Sequence, residues 1–284
     1  MRDTEQGLNP MWTQSPILLT PVITLRELFE RRNLLRLMVK RNLTARYSRA
    51  YLGFGWAVLE PLLFSLIYSF VFSVLVGSSD RLYALNVIVG VIGWNLFARS
   101  LLGSANSLYA NSNLFSFSLI PKTVFSASEV LTELVLVVIA SLTIIPFMIY
   151  HDLPLTSSLL MLPIWLIVLA FGGWSFGLLV APMACKIPDV LKFTNFIVRA
   201  GFFLSPVMWT YPMLTRRFGE GIFNDLAHIN PVVVPITGMR DAVISTSSGI
   251  PGWAVVVGLL IPIIAFLFSA MVFSRKANKA VIGI

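Results

Sequence analysis

The chain has 284 residues, 57% of them hydrophobic and only 12% charged, with a net charge of +8, one cysteine and two histidines. A soluble domain carries about 25% charged residues, so this composition excludes an ordinary soluble enzyme and points to one membrane domain without a separate soluble one. Cys185 alone rules out an intrachain disulfide or thiolate cluster, and with only His151 and His228 no metal site is expected.

Residues 1–23 read as a loose polar tail with Pro10 and Pro16 and no cleavable signal peptide. Thr24-Leu25-Arg26-Glu27 has the form of a capping box, and predicts an amphipathic helix from about Leu25 to Arg46 within a unit spanning 24–50. It interleaves Leu28, Phe29, Leu35, Met38, Val39 and Leu43 with Arg31, Arg32, Arg36, Lys40 and Arg41. Such a helix lies in the membrane interface with its cations among the headgroups; the alternative is a cytoplasmic helix packed on a partner.

Residues 51–284 form the membrane domain. Stretches of roughly 18–25 apolar residues are long enough to cross a bilayer core of ~30 Å, and backbone in hydrocarbon must satisfy its own hydrogen bonds as helix. The expected spans are 56–76, entered at Trp56, then 83–103, 124–149, 159–181, a short one near 191–204, and 253–273. The fourth carries Gly173-x-x-x-Gly177, a spacing that lets a second helix approach closely. Between spans two and three, 104–122 is rich in Asn and Ser yet holds Leu114, Phe115, Phe117 and Leu119, which suits a short docking helix. From Ser205 to Gly252, prolines break apolar pieces too short to span, as in re-entrant half-helices. The fold class is therefore all-α, with six spans, an interfacial helix and half-helices between spans five and six.

The basic residues fix an orientation. Alternation leaves Arg81, Arg216, Arg217 and Arg240 outside and the rest of the 21 Lys and Arg inside, with both termini cytoplasmic. The positive charge thus serves topology, and no nucleic-acid partner is expected.

No G-x-x-x-x-G-K-[ST], G-x-S-x-G, H-E-x-x-H or EF-hand sequence is present, so ATP is not bound through a P-loop here. Ionisable residues in spans are the default functional candidates: Glu60, Glu129, Glu133 and Arg199. Glu129 and Glu133 share one helix face and read either as a proton or ion path or as paired structural groups near the interface. Glu60, one turn into its span beside Pro61, could face the interior. For Arg199 a structural pairing is the expectation. Phe202, Phe203, Trp209 and Tyr211 cluster before the outer Pro-rich region, where aromatic faces could stack on sugars or simply pack.

The segment Arg46-Tyr47-Ser48-Arg49-Ala50-Tyr51-Leu52-Gly53-Phe54-Gly55-Trp56, continuing to Glu60-Pro61, resembles the start of the first span in ABC-2 type polysaccharide exporter permeases. The family pattern there is R-Y-x-x-S-x-L-G-x-x-W-x-x-x-x-P, with Ala50 a mild departure. Lys186-Ile187-Pro188-Asp189-Val190, Ser205-Pro206-Val207 and Asn230-Pro231 are similar to later family segments in the same order, so the likeness covers most of the chain from Leu25 on. It implies a homodimeric permease of the bacterial cytoplasmic membrane that binds no cofactor itself. Two copies of a cytoplasmic ATPase, carrying ATP and Mg, would drive export of a lipid-linked polysaccharide such as O-antigen, teichoic acid or capsule. Coupling to the ATPase would fall to Asn111, Asn113, Leu114 and Phe115 and to Lys186 and Asp189. Arg31, Arg36, Arg41 and Arg46 would meet the lipid pyrophosphate, and Trp56, Glu60, Phe202, Phe203, Trp209 and Tyr211 would line the channel. Rival readings are an ABC-2 exporter of drugs or other lipids and, from another class, a proton-coupled secondary transporter using Glu60, Glu129 and Glu133.

Overall fold

The computed structural model describes residues 19–48, 50–76, 81–112, 120–219 and 221–281, and they contain no strand. Two amphipathic helices come first, α1 (Thr20–Glu30) and α2 (Arg32–Tyr47). The helix expected from Leu25 instead starts at Thr20, with Pro21 in its first turn, where a missing N–H costs nothing. Thr24 is buried inside α1 and caps nothing. A break at Arg31 (φ −97°, ψ 24°) separates the two helices. Leu28 and Leu35 line an apolar groove of about 220 Å³ together with Leu131, Phe171 and Trp174.

The long helices follow. α3 (Gly55–Val76) carries Pro61 within it, and α4 (Tyr83–Ala110) is the hub of the molecule. Of the apolar window in α4, 83% is buried, against 28% in the last helix. The expected third span is broken, with α5 (Lys122–Ser141) and α6 (Ile144–Tyr150) separated by Leu142 and Thr143. Pro146 is the physical reason: it lacks an N–H, and its ring crowds the carbonyl four residues back, that of Leu142. Tight turns fill the gap, with the amides of Leu142 and Thr143 bonded to the carbonyls of Ile139 and Ala140.

A 3₁₀ turn (Ser157–Met161) leads into α7 (Leu162–Lys186). A Cβ on Gly173 would lie 2.5 Å from the Phe97 oxygen, and one on Gly177 would lie 2.5 Å from the Ser104 Cβ. Only glycine permits this approach of α7 to α4, which is the most extensive helix pairing in the protein.

α8 (Asp189–Leu204) has 16 residues, ~24 Å at 1.5 Å per residue. Its inner face bears Thr194 and Val198, and Gly201 sits against the Trp94 ring. Three short helices follow, α9 (Tyr211–Phe218), α10 (Ile222–Ile229) and the buried α11 (Val233–Ile244). α12 (Gly252–Val281) closes the chain. Among the described residues, four segments are long and apolar enough to cross a membrane: Tyr83–Ala110, Lys122–Tyr150, Ser157–Lys186 and Gly252–Ala277.

Candidate functional site

One end of the bundle gathers α2, the C-termini of α4, α7 and α12 and the N-termini of α5 and α8. The Lys122 ammonium donates to the Ala277 carbonyl, and the Cys185 thiol to that of Ala280, which ties three of these ends together. Two ion pairs cross the adjoining layer. Arg46 of α2 meets Glu133 of α5, and Arg99 of α4 meets Glu60 of α3, each at 2.5 Å. Tyr47, Glu60, Asn95, Arg99 and Glu133 line a small cavity of about 30 Å³ between them. Asn42 Nδ2 donates to Glu129 Oε1 at 3.0 Å, and its own Oδ1 accepts from Arg41 at 3.0 Å. Glu60, Glu129 and Glu133 are thus all engaged within the protomer, and α2 is fastened to α5 by polar groups.

Burial pushes the Tyr47 hydroxyl up from its ordinary pKa. It does the same to the Glu27 carboxyl on α1, against the opposing pull of Arg31.

The residues assigned to lipid uptake divide. Arg31, Arg36 and Arg41 are exposed along α1–α2, whereas Arg46 is committed to Glu133. Among the assigned coupling residues, Asn111 is buried at the end of α4, with Nδ2 bonded to the Ser107 carbonyl at 2.9 Å. Asn113, Leu114 and Phe115 lie outside the described residues. Lys186 through Asp189 is an exposed corner between α7 and α8, and Asp189 pairs with Lys192 at 2.9 Å.

The residues assigned to the channel are spread along α3, α8 and the turn beyond. Trp56 is exposed near the start of α3. Phe202 packs against Tyr68 and Trp94, seating α8 beside α3 and α4, while Phe203 points away and is exposed. Trp209 Nε1 reaches the Phe203 carbonyl at 3.4 Å, and Tyr211 packs on His228 with ring centres 5.1 Å apart.

Two arginines correct the sequence reading. Arg240, counted among outside charges, is buried in α11 and donates to the carbonyls of Asn86 (3.0 Å), Trp209 (2.9 Å) and Val207 (2.9 Å). It fastens the turn after α8 to α4, and the one sequence signal was a cation inside the apolar run Val232–Ile244. Arg199, expected to be paired, is exposed on α8 and in none of the ion pairs among the described residues. The reason is local: α8 turns Thr194, Val198 and Gly201 inward, and Arg199 falls on the other face.

The profile of the family described as ABC-2 type transporter matches residues 33–244, from α2 through α11. The chain belongs to the ABC-2 type transporter family. Curated relatives of this ABC-2 protein include the O-antigen export system permease protein RfbA of Myxococcus xanthus, 28% identical over 216 residues, which are 76% of this chain and 82% of the relative. RfbA of Klebsiella pneumoniae is 26% identical over 197 residues, 69% of this chain and 76% of the relative. The polysialic acid transport protein KpsM of Escherichia coli is 22% identical over 196 residues, 66% and 75% of the two chains. The ABC-2 match covers both ion pairs and the exposed corner at Lys186–Asp189.

Proposed function

We propose that this chain is the membrane-spanning permease of an ABC transporter that exports a lipid-linked polysaccharide across the cytoplasmic membrane. The observation that carries the reading is the family match over 33–244, joined to relatives aligned over most of their length whose names specify O-antigen export and polysialic acid transport. In this reading α3 and α8 join the four long apolar segments as spans, and α9–α11 dip into the outer leaflet. The end bearing α1–α2 faces the cytoplasm, with both termini on that side. Two copies form the conduit, and each receives one ATPase subunit, which carries ATP and Mg. The exposed corner at Lys186–Asp189 and the 111–117 segment are the contacts through which ATP-driven closure reaches the spans. Arg31 and Arg36, exposed on the interfacial helices, and Arg41, exposed beside the Asn42 amide to which it donates, meet the anionic lipid carrier, since guanidinium forks suit phosphate.

The test is purification of the tagged permease from native membranes in mild detergent, followed by assay of the eluate for ATPase activity. The expected result is a stoichiometric ATPase subunit, and loss of surface glycan in cells when the permease is depleted. A permease that elutes without ATPase activity, and whose transport collapses with the proton gradient, would move it to the secondary transporters.

A further inference from the structure

Arg199 lies ten residues beyond Asp189 on α8, ~15 Å along the helix, and in the reading of α8 as a span this puts it near the middle of a ~30 Å hydrocarbon layer. Its side chain is exposed, and no carboxylate among the described residues pairs with it. An unpaired cation facing lipid at that depth costs several kcal/mol.

A second copy of the chain could cover this face, but the carboxylates described on its long helices are already engaged. The acidic residues within the long helices are Glu60, engaged by Arg99, Glu129, engaged by Asn42, and Glu133, engaged by Arg46. Asp189 stands at the start of α8 and pairs with Lys192. By sequence, every other Asp and Glu lies before the spans or in the segments that join them. Among the described residues, the long helices therefore offer Arg199 no counter-charge.

The surroundings describe it. Lys192, Asn195, Arg199 and Phe203 recur at helical spacing along one face of α8, with Phe196 beside them, all exposed. From Trp253 to Phe268 the exposed surface of α12, with Val256, Leu260, Ile264 and Leu267, is apolar, as a lipid-facing surface should be. That of α5, with Val135 and Val138, is the same. α8, by contrast, turns Lys192, Asn195 and Arg199 outward together with Phe196 and Phe203. Such a ladder suits an anionic head attached to sugars: a guanidinium fork for phosphate oxygens, and flat rings beside it.

We propose that Arg199 is a binding residue of the conduit, and that its ligand is the diphosphate of the lipid-linked glycan as it passes the membrane midplane. This rests on the export reading above and assigns a residue within it.

The experiment measures equilibrium binding of radiolabelled farnesyl diphosphate to the purified permease in zwitterionic nanodiscs, with farnesol as the uncharged competitor. It needs no ATPase, so its failure is separate from that of the pull-down. Wild-type permease should bind the diphosphate, and farnesol should compete poorly. Arg199→Gln should weaken binding about tenfold or more, the loss expected for charge-assisted bonds. Arg199→Lys, which keeps the charge and loses the fork, should fall between and guards against a Gln variant that fails to assemble. Equal binding by the wild type and both variants, farnesol competing as well as unlabelled diphosphate, or no diphosphate binding by wild type would each overturn the proposal.

Discussion

Glu60 and Arg99 sit about one turn inside the membrane region, each side chain roughly one-third exposed (34% and 36%). Removing one member of such a pair strands the other in a medium that cannot solvate it, whereas removing both leaves an apolar contact. Arg99→Leu should therefore destabilise the permease by roughly 1–3 kcal/mol, below the 3–5 typical of fully buried pairs because these two are partly solvated. Glu60→Leu combined with Arg99→Leu should recover most of that loss. Thermal unfolding in detergent of the two singles and the double provides the cycle. A double variant less stable than either single would mean that the pair itself, and not its broken halves, supports the junction of α3 and α4. Glu133 is more demanding still, since it is only 4% exposed and Arg46 reaches it from a different helix 87 positions earlier in the chain.

Between elements, the seam of α4 and α7 depends on glycine. A Cβ on Gly177 would stand 2.6 Å from the Leu101 oxygen as well as 2.5 Å from the Ser104 Cβ. Backbone cannot move aside as a flexible side-chain tip does. Gly177→Ala should cost about 1–3 kcal/mol, the range for overpacking, and Gly177→Leu more; the check is the melting temperature, with an unchanged Ala variant refuting the tight seam. This contact was legible in the sequence because the Gly173–Gly177 spacing states a distance. Four of the expected spans were legible too, because hydropathy summed over some twenty residues reports the solvent directly. Hydropathy does not register hydrogen bonds, so the apolar stretch 124–149 concealed the break that Pro146 imposes. Capping chemistry at Thr24 pointed to a helix start that Pro21 had already supplied. Least legible were the polar contacts. Arg240 finds carbonyls at residues 86, 207 and 209, and Arg46 finds Glu133, pairings that exist only once the helices are stacked.

The placement of charge among the described residues predicts which surface two copies would share. α12 and α5 present apolar side chains outward, so lipid can cover both without electrostatic cost. α8 presents Lys192, Asn195 and Arg199, so a homodimer with α8 facing its own copy hides these groups from lipid and surrounds a polar path. The sequence makes this testable, because its one cysteine, Cys185, is buried and leaves an introduced thiol as the reactive one. Phe203→Cys on α8 and Ile264→Cys on α12 are both at exposed positions. Treatment of native membranes with a short bis-maleimide should join the Phe203→Cys copies into a covalent dimer and leave the Ile264→Cys copies as monomers. Electrophoresis reads the outcome. Cross-linking at Ile264→Cys with none at Phe203→Cys would turn the dimer around. It would set α8 against lipid, and the burden of shielding Arg199 would then fall on headgroups at the outer end of its helix, five residues away at Leu204.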